Sequence, residues 1–183
     1  MKTKTIVWIA FIAVVLIQLA VPAQLIYKQE LILHSGKEYK FKIAPVDPSD
    51  PLRGKFINLR VEGLEMKVAH SRDWFFGEPV YLTLASDTSD GFARFDRLIR
   101  EKPFTNVDFI KVNVSYASDS SVWLKVPFDR YYLEESTAPQ IERIYAEALR
   151  DTNKVSFVSV RVIDGDAVLS DLFIDGKSVR AMK

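Results

Sequence analysis

Residues 44–61 read APVDPSDPLRGKFINLRV, and this stretch decides what kind of domain the chain builds. Its two Asp-Pro steps push Asp47 and Asp50 toward extended backbone, Pro48 and Pro51 fix their own φ, and Gly54 tolerates angles that a Cβ resists. The result is a stiff, charged corner. Beyond it Lys55–Val61 alternates, with Ile57, Leu59 and Val61 on one face and Phe56, Asn58 and Arg60 on the other, the period of a half-buried strand.

Alternation continues on both sides of this corner. Lys37–Ile43 places Tyr39, Phe41 and Ile43 on one face, and the strand after the corner is expected to pair with it. Val80, Leu82 and Leu84 alternate, as do Ile110, Val112, Val114 and Tyr116, then Val122, Leu124 and Val126, then Val158, Val160 and Val162. Phe92–Arg100 fits a strand or a short helix, and the β-rich surroundings favour a strand. Asp164-Gly165 and Asp175-Gly176 are hairpin turn pairs. One helix stands against this background: Thr137-Ala138-Pro139-Gln140 has the form of a capping box, and Ile141, Ile144, Tyr145, Ala148 and Leu149 follow helical spacing. The expected fold class is α+β, a mainly antiparallel β-rich domain covered by one amphipathic helix.

Residues 6–27 are apolar except for Gln18, Pro22 and Gln24. As a helix they reach about 33 Å, the hydrocarbon thickness of a bilayer. Lys2 and Lys4 in front suit a cytoplasmic N-terminus with the rest of the chain exported. This divides the chain into a cytoplasmic start at 1–5, a transmembrane anchor at 6–27, a juxtamembrane helix or linker at 28–36 and an extracytoplasmic domain at 37–183. The competing reading is a cleaved signal peptide ending at Val21-Pro22-Ala23. The anchor is preferred because apolar character persists through Leu25, Ile26 and Tyr27.

Composition removes several function classes. A formal net charge of +1 over 183 residues leaves no basic field for nucleic acid. With no cysteine there is no disulfide, thiolate metal site or cysteine nucleophile. His34 and His70 lack neighbours at metal-ligand spacing, and no phosphate loop, HExxH or GxSxG occurs. No cofactor, metal site or catalytic residue is expected on these grounds.

Three polar or aromatic clusters remain. Asp47, Asp50 and Arg53 could clamp a charged partner, although Asp and Pro are also what tight turns use. Tyr131 and Tyr132 beside Glu134 and Glu135 could read a peptide or a membrane partner, or they could plug a sheet edge while the acids complement the following helix dipole. Trp74-Phe75-Phe76 cannot all face one side of a strand, so at least one ring is expected at the surface, toward a partner or lipid headgroups.

Gly54-Lys55-Phe56-Ile57-Asn58-Leu59-Arg60-Val61, with the Asp-Pro steps before it, resembles the signature of the GDYXXLXY family, bacterial membrane-anchored proteins often encoded beside multi-pass membrane proteins. Gly54 and Leu59 match the motif. Lys55 stands where that family has its acid, and Phe56 and Val61 stand where it has tyrosines, so no role for that carboxylate or those phenols transfers. Phe128–Glu135, Glu142 and Asp175-Gly176 are similar to later parts of the family pattern. The resemblance implies a single-pass protein of the bacterial cytoplasmic membrane with its domain outside, and a non-enzymatic accessory role. Its expected partners are the lipid bilayer and a multi-pass membrane protein. An extracytoplasmic ligand-binding sensor is the alternative. A third reading resembles signal-peptidase-like proteases, with Ser35 as nucleophile and Lys111 as base, although Gly36 stands where those proteases have methionine. Lys111 also falls on the solvent side of its strand, and a catalytic lysine needs desolvation.

Overall fold

The computed structural model describes residues 2–44, 56–86, 90–104, 107–150 and 155–182. The corner residues Asp47, Pro48, Asp50, Pro51, Arg53 and Gly54 lie outside them.

A single helix, α1 (Lys2–Ser35), carries the apolar run and continues past Pro22 without a break. Its 34 residues extend about 51 Å. It contains an 18-residue window of mean hydropathy 2.6, none of it buried in the protein, and is long and apolar enough to cross a membrane. Only near its end does a side chain enter the core, at Ile32. Gly36 stops the helix with its N–H bonded to Ile32 O at 2.8 Å, and Arg161 donates to the Gly36 carbonyl at 2.9 Å.

From Gly36 the chain passes directly into β1 (Lys37–Ala44), where Tyr39, Phe41 and Ile43 are buried as the alternation requires. The later strands are β2 (Phe56–Asn58), β3 (Arg60–Val61), β4 (Glu65–Lys67), β5 (Pro79–Ser86), β6 (Ala93–Ile99), β7 (Phe109–Ser118), β8 (Ser121–Lys125) and β9 (Arg130–Tyr132). Helix α2 (Ala138–Arg150) follows, then β10 (Phe157–Ile163), β11 (Asp166–Ile174) and β12 (Lys177–Ser178). One antiparallel sheet has the order β12-β11-β10-β1-β3 and another β4-β8-β7-β5-β6, with β2 and β9 forming a separate ribbon. This is the expected α+β architecture, including a strand over Ala93–Ile99.

Both sheets contribute their alternating apolar residues to one core. Phe41 lies in it, 1% exposed, with ring centroids 5.0 Å from Phe95 of β6 and 5.9 Å from Phe128. Helix α2 adds Ala138, Ile141, Tyr145 and Ala148 and rests on β11. The hairpins form where Asp-Gly pairs stand: Asp164 and Gly165 have φ of 56° and 90°, Asp175 and Gly176 51° and 73°, the positive angles of a two-residue turn.

Three local expectations fail for identifiable reasons. The strand over Lys55–Val61 is divided: Phe56–Asn58 pairs with β9, Ile43 and Ala44 of β1 pair with β3, and Leu59 lies between. Its alternation nevertheless holds, with Ile57, Leu59 and Val61 all buried. Tyr116 does not continue the inward row of Ile110, Val112 and Val114, because a register shift after Val114 inserts an extra residue and turns Tyr116 out against Trp123, centroids 5.3 Å apart. The Thr137 hydroxyl does not cap α2 either. It donates backward to Glu134 O at 3.3 Å, and that carbonyl also accepts the N–H groups of Thr137 and Ala138.

Candidate functional site

The described half of the signature stretch is a hand-over point between partners. Leu59 donates its N–H to Asp129 O at 2.8 Å beside the β2–β9 ribbon, and two residues later Val61 stands opposite Ile43 of β1. A buried, branched side chain at position 59 fixes which face turns inward as the strand changes neighbours. Phe56 is thereby set opposite Tyr132, ring centroids 6.0 Å apart, and the Arg130 guanidinium covers the Phe56 ring at 5.0 Å.

The two tyrosines of β9 have different surroundings. Tyr132 is 70% exposed. Tyr131 is half-buried and donates its hydroxyl to Asp171 Oδ1 at 3.3 Å. Asp171 also accepts from Leu172 N–H and the Ser178 hydroxyl, so one carboxylate ties β9 to β11 and β12. Burial, aided by the Asp171 charge, raises the Tyr131 phenol above its ordinary pKa, while Arg180 acts the other way. Next to these residues opens a cavity of about 440 Å³, bordered by Arg130, Tyr131, Tyr132, Glu134, Ile141 and Arg180. Two guanidinium groups, two phenols, the Glu134 carboxylate, the Thr137 and Ser170 hydroxyls and an apolar floor give this cavity a mixed recognition chemistry. Glu134 and Glu135 are exposed just ahead of α2.

The aromatic triplet is mounted by salt-bridged side chains. Trp74 is partly buried under the Arg100 guanidinium, 4.3 Å from its ring centroid. Arg100 also pairs with Glu78 at 2.8 Å and donates to the Asp73 carbonyl, and Glu78 accepts the Phe75 N–H at 3.1 Å. Hydrogen bonding from Arg100 first, then from Phe75, holds the Glu78 carboxyl below its ordinary pKa. Phe75 and Phe76 are left 69% and 86% exposed on this mount.

The chain matches the family model described as GDYXXLXY protein over residues 18–172. It belongs to the GDYXXLXY family. No curated protein and no solved structure gives a significant match. In this GDYXXLXY protein the signature strand and the later aromatic segment meet as the β2–β9 ribbon, a union that neither segment's pattern reveals alone.

Other candidates stand apart from that ribbon. Ser35 and Lys111 are both exposed, and Lys111 contributes its backbone N–H to Gly165 O at 2.8 Å while its side chain points outward, the opposite of the desolvated setting a lysine base requires. His34 and His70 are exposed. Among the described residues no three of His, Asp and Glu gather in a way that could hold a metal ion. Sequence reasoning missed Arg100, Asp171 and Arg180. The adjacent polar pair Ser170-Asp171 did carry a signal, since it interrupts the apolar run of its strand, and the register shifts there. Arg100 carried none.

Proposed function

We propose that this GDYXXLXY protein is a non-enzymatic accessory protein, held by α1 in the bacterial cytoplasmic membrane with its domain outside, that docks on a multi-pass membrane protein or another envelope partner. The observation that carries the reading is the pair Phe75 and Phe76, which remain exposed while Trp74, Glu78 and Arg100 hold the segment beneath them. Aromatic side chains on a preorganised mount are the usual anchors of a protein interface, since ordering them costs little on binding. The test places a photo-crosslinking residue at Phe76 in native membranes, then purifies the full chain in mild detergent for mass spectrometry. Crosslinking to one multi-pass protein is the expected result. Recovery of the chain alone, without adducts, would remove the accessory reading.

A ligand-binding sensor is the second reading, favoured by the cavity beside Tyr131. Its volume falls within the range of small-molecule sites, and Arg130 and Arg180 would select an anionic ligand. Arg180→Ala would then abolish thermal stabilisation by that ligand while leaving the Phe76 crosslink intact.

A further inference from the structure

The apolar run of α1 ends at Tyr27, and Lys28 is its first charge after Lys4. Lys28 Nζ lies 2.6 Å from Asp166 Oδ2, the residue that closes the β10–β11 hairpin opposite Ile163. Between Lys28 and Ser35 the helix rises only about 10 Å. The hairpin tip therefore reaches back along the last turns of the helix to where its apolar surface begins. At that tip Asp164 Oδ1 receives Lys102 Nζ at 3.4 Å, and Lys111 N–H is bonded to Gly165 O. Phe104 and Val107 border the same opening of about 670 Å³ as Lys102, Asp108, Asp164 and Gly165. Asp108 in turn is held by Lys37 Nζ at 2.6 Å, one residue past Gly36.

Lys102 and Asp108 are thus held at the helix-proximal end of the domain, the first by Asp164 and the second by Lys37. Yet Phe104 is 96% exposed, and Val107 is 42% exposed. An aromatic ring left almost wholly in water forgoes the gain of burial. At the depth of lipid headgroups it would recover part of that gain, and rings collect in that layer. Three cations nearby have acidic partners, Lys28 with Asp166, Lys37 with Asp108 and Lys102 with Asp164, while Lys111 beside Gly165 is exposed.

Building on the reading of α1 as a membrane anchor, we propose that Phe104, with Val107, is a second, shallow contact with the same bilayer, seated among the headgroups and limiting how the domain tilts on its helix. The chain has no cysteine, so single nitroxide labels can be introduced into the full-length protein without background. Three variants suffice: Ile12→Cys in the middle of the apolar run, Phe104→Cys, and Glu62→Cys. Glu62 is a water-side reference, its N–H bonded to Lys42 O five residues along β1 from Lys37. All three positions are exposed in the protein, so the labels leave its core untouched.

The probe is a vesicle of phosphatidylcholine with a minor share of phosphatidylglycerol, read by collision of each label with oxygen and with a water-soluble nickel chelate. The expected result is an oxygen-accessible Ile12 label, and nickel access at Phe104 about threefold below that at Glu62. Equal nickel access at Phe104 and Glu62, with Ile12 still in lipid, would overturn the contact and leave the anchor standing. Nickel access at Ile12 would remove the anchor and the contact together. A Phe104 label that stays water-exposed in vesicles but becomes immobile in native membranes would assign the site to a protein and overturn the lipid proposal.

Discussion

Phe56 and Tyr132 face each other across the β2–β9 ribbon with ring centroids 6.0 Å apart, joining the family's signature strand to an aromatic segment more than seventy residues later in the chain. Cross-strand aromatic pairs of this kind are worth about 0.5–1 kcal/mol beyond their separate burial. Phe56→Ala, Tyr132→Ala and the double variant, compared by urea denaturation of the full chain in mild detergent, are expected to give a coupling of that size. Purely additive losses would mean the ribbon is held by its backbone bonds and by Arg130 alone.

Gly165 supports a second expectation, through two independent demands. Its φ is +90°, and a Cβ there would lie 2.5 Å from the Phe109 ring. Gly176, at φ +73°, has nothing within 4 Å of its virtual Cβ. Gly176→Ala therefore pays only for backbone strain, about 1 kcal/mol, whereas Gly165→Ala must also displace Phe109 and is expected to cost about 2–3 kcal/mol. Equal losses in the same denaturation experiment would show that Phe109 yields freely.

Much of this fold was legible because burial imposes period 2 on strands that face one core. Tyr39, Phe41 and Ile43, Val80, Leu82 and Leu84, and the two Asp-Gly turns are readable for that reason. What escaped the sequence was set by pairing. Nothing in Phe56–Asn58 names Arg130–Tyr132 as its neighbour, and the bulge that expels Tyr116 depends on how β7 meets β8. The candidate site was legible in its aromatic members, since Trp74, Phe75 and Phe76 announce that some ring must be exposed. Arg100, which determines which rings those are, comes from a strand end more than twenty residues away.

Asp108 predicts a pH dependence. Its carboxyl is held below its ordinary pKa by hydrogen bonds from Lys37 and then from the Tyr39 hydroxyl. A lowered folded-state pKa means the stabilisation is complete above the unfolded value, near about 3.9, and is lost as pH falls through the folded one. Because the pair faces solvent, Asp108→Asn is expected to cost only about 1 kcal/mol at neutral pH. The gap between variant and parent should close below the ordinary carboxylate range. A gap that persists unchanged through the acid limb would assign the effect to packing of Tyr39.

Arg100 separates stacking from charge. Arg100→Lys can keep a cation near Glu78 but loses the planar group over Trp74, while Arg100→Ala loses both. The expected costs are about 1 kcal/mol for lysine and about 2 kcal/mol for alanine. Both variants should also speed hydrogen exchange at the Phe75 and Gly77 amides, which are bonded to Glu78 and Val114. Unchanged exchange would show that the aromatic segment is held without its arginine.

Tyr145 predicts a change in the opposite direction. It is a core residue of α2, 6% exposed, and its hydroxyl has no hydrogen-bond partner among the described residues. Burial alone pushes the phenol up to about 12. A buried hydroxyl without a partner costs about 1–3 kcal/mol of desolvation that the ring's packing must offset. Tyr145→Phe keeps the ring and deletes that cost, so the variant is expected to be as stable as the parent or up to about 1 kcal/mol more stable. Tyr145→Ala removes the ring and should lose about 3–5 kcal/mol. Clear destabilisation by phenylalanine, measured beside alanine in the same detergent, would mean the hydroxyl is satisfied in solution and that the middle of α2 holds a polar contact of its own.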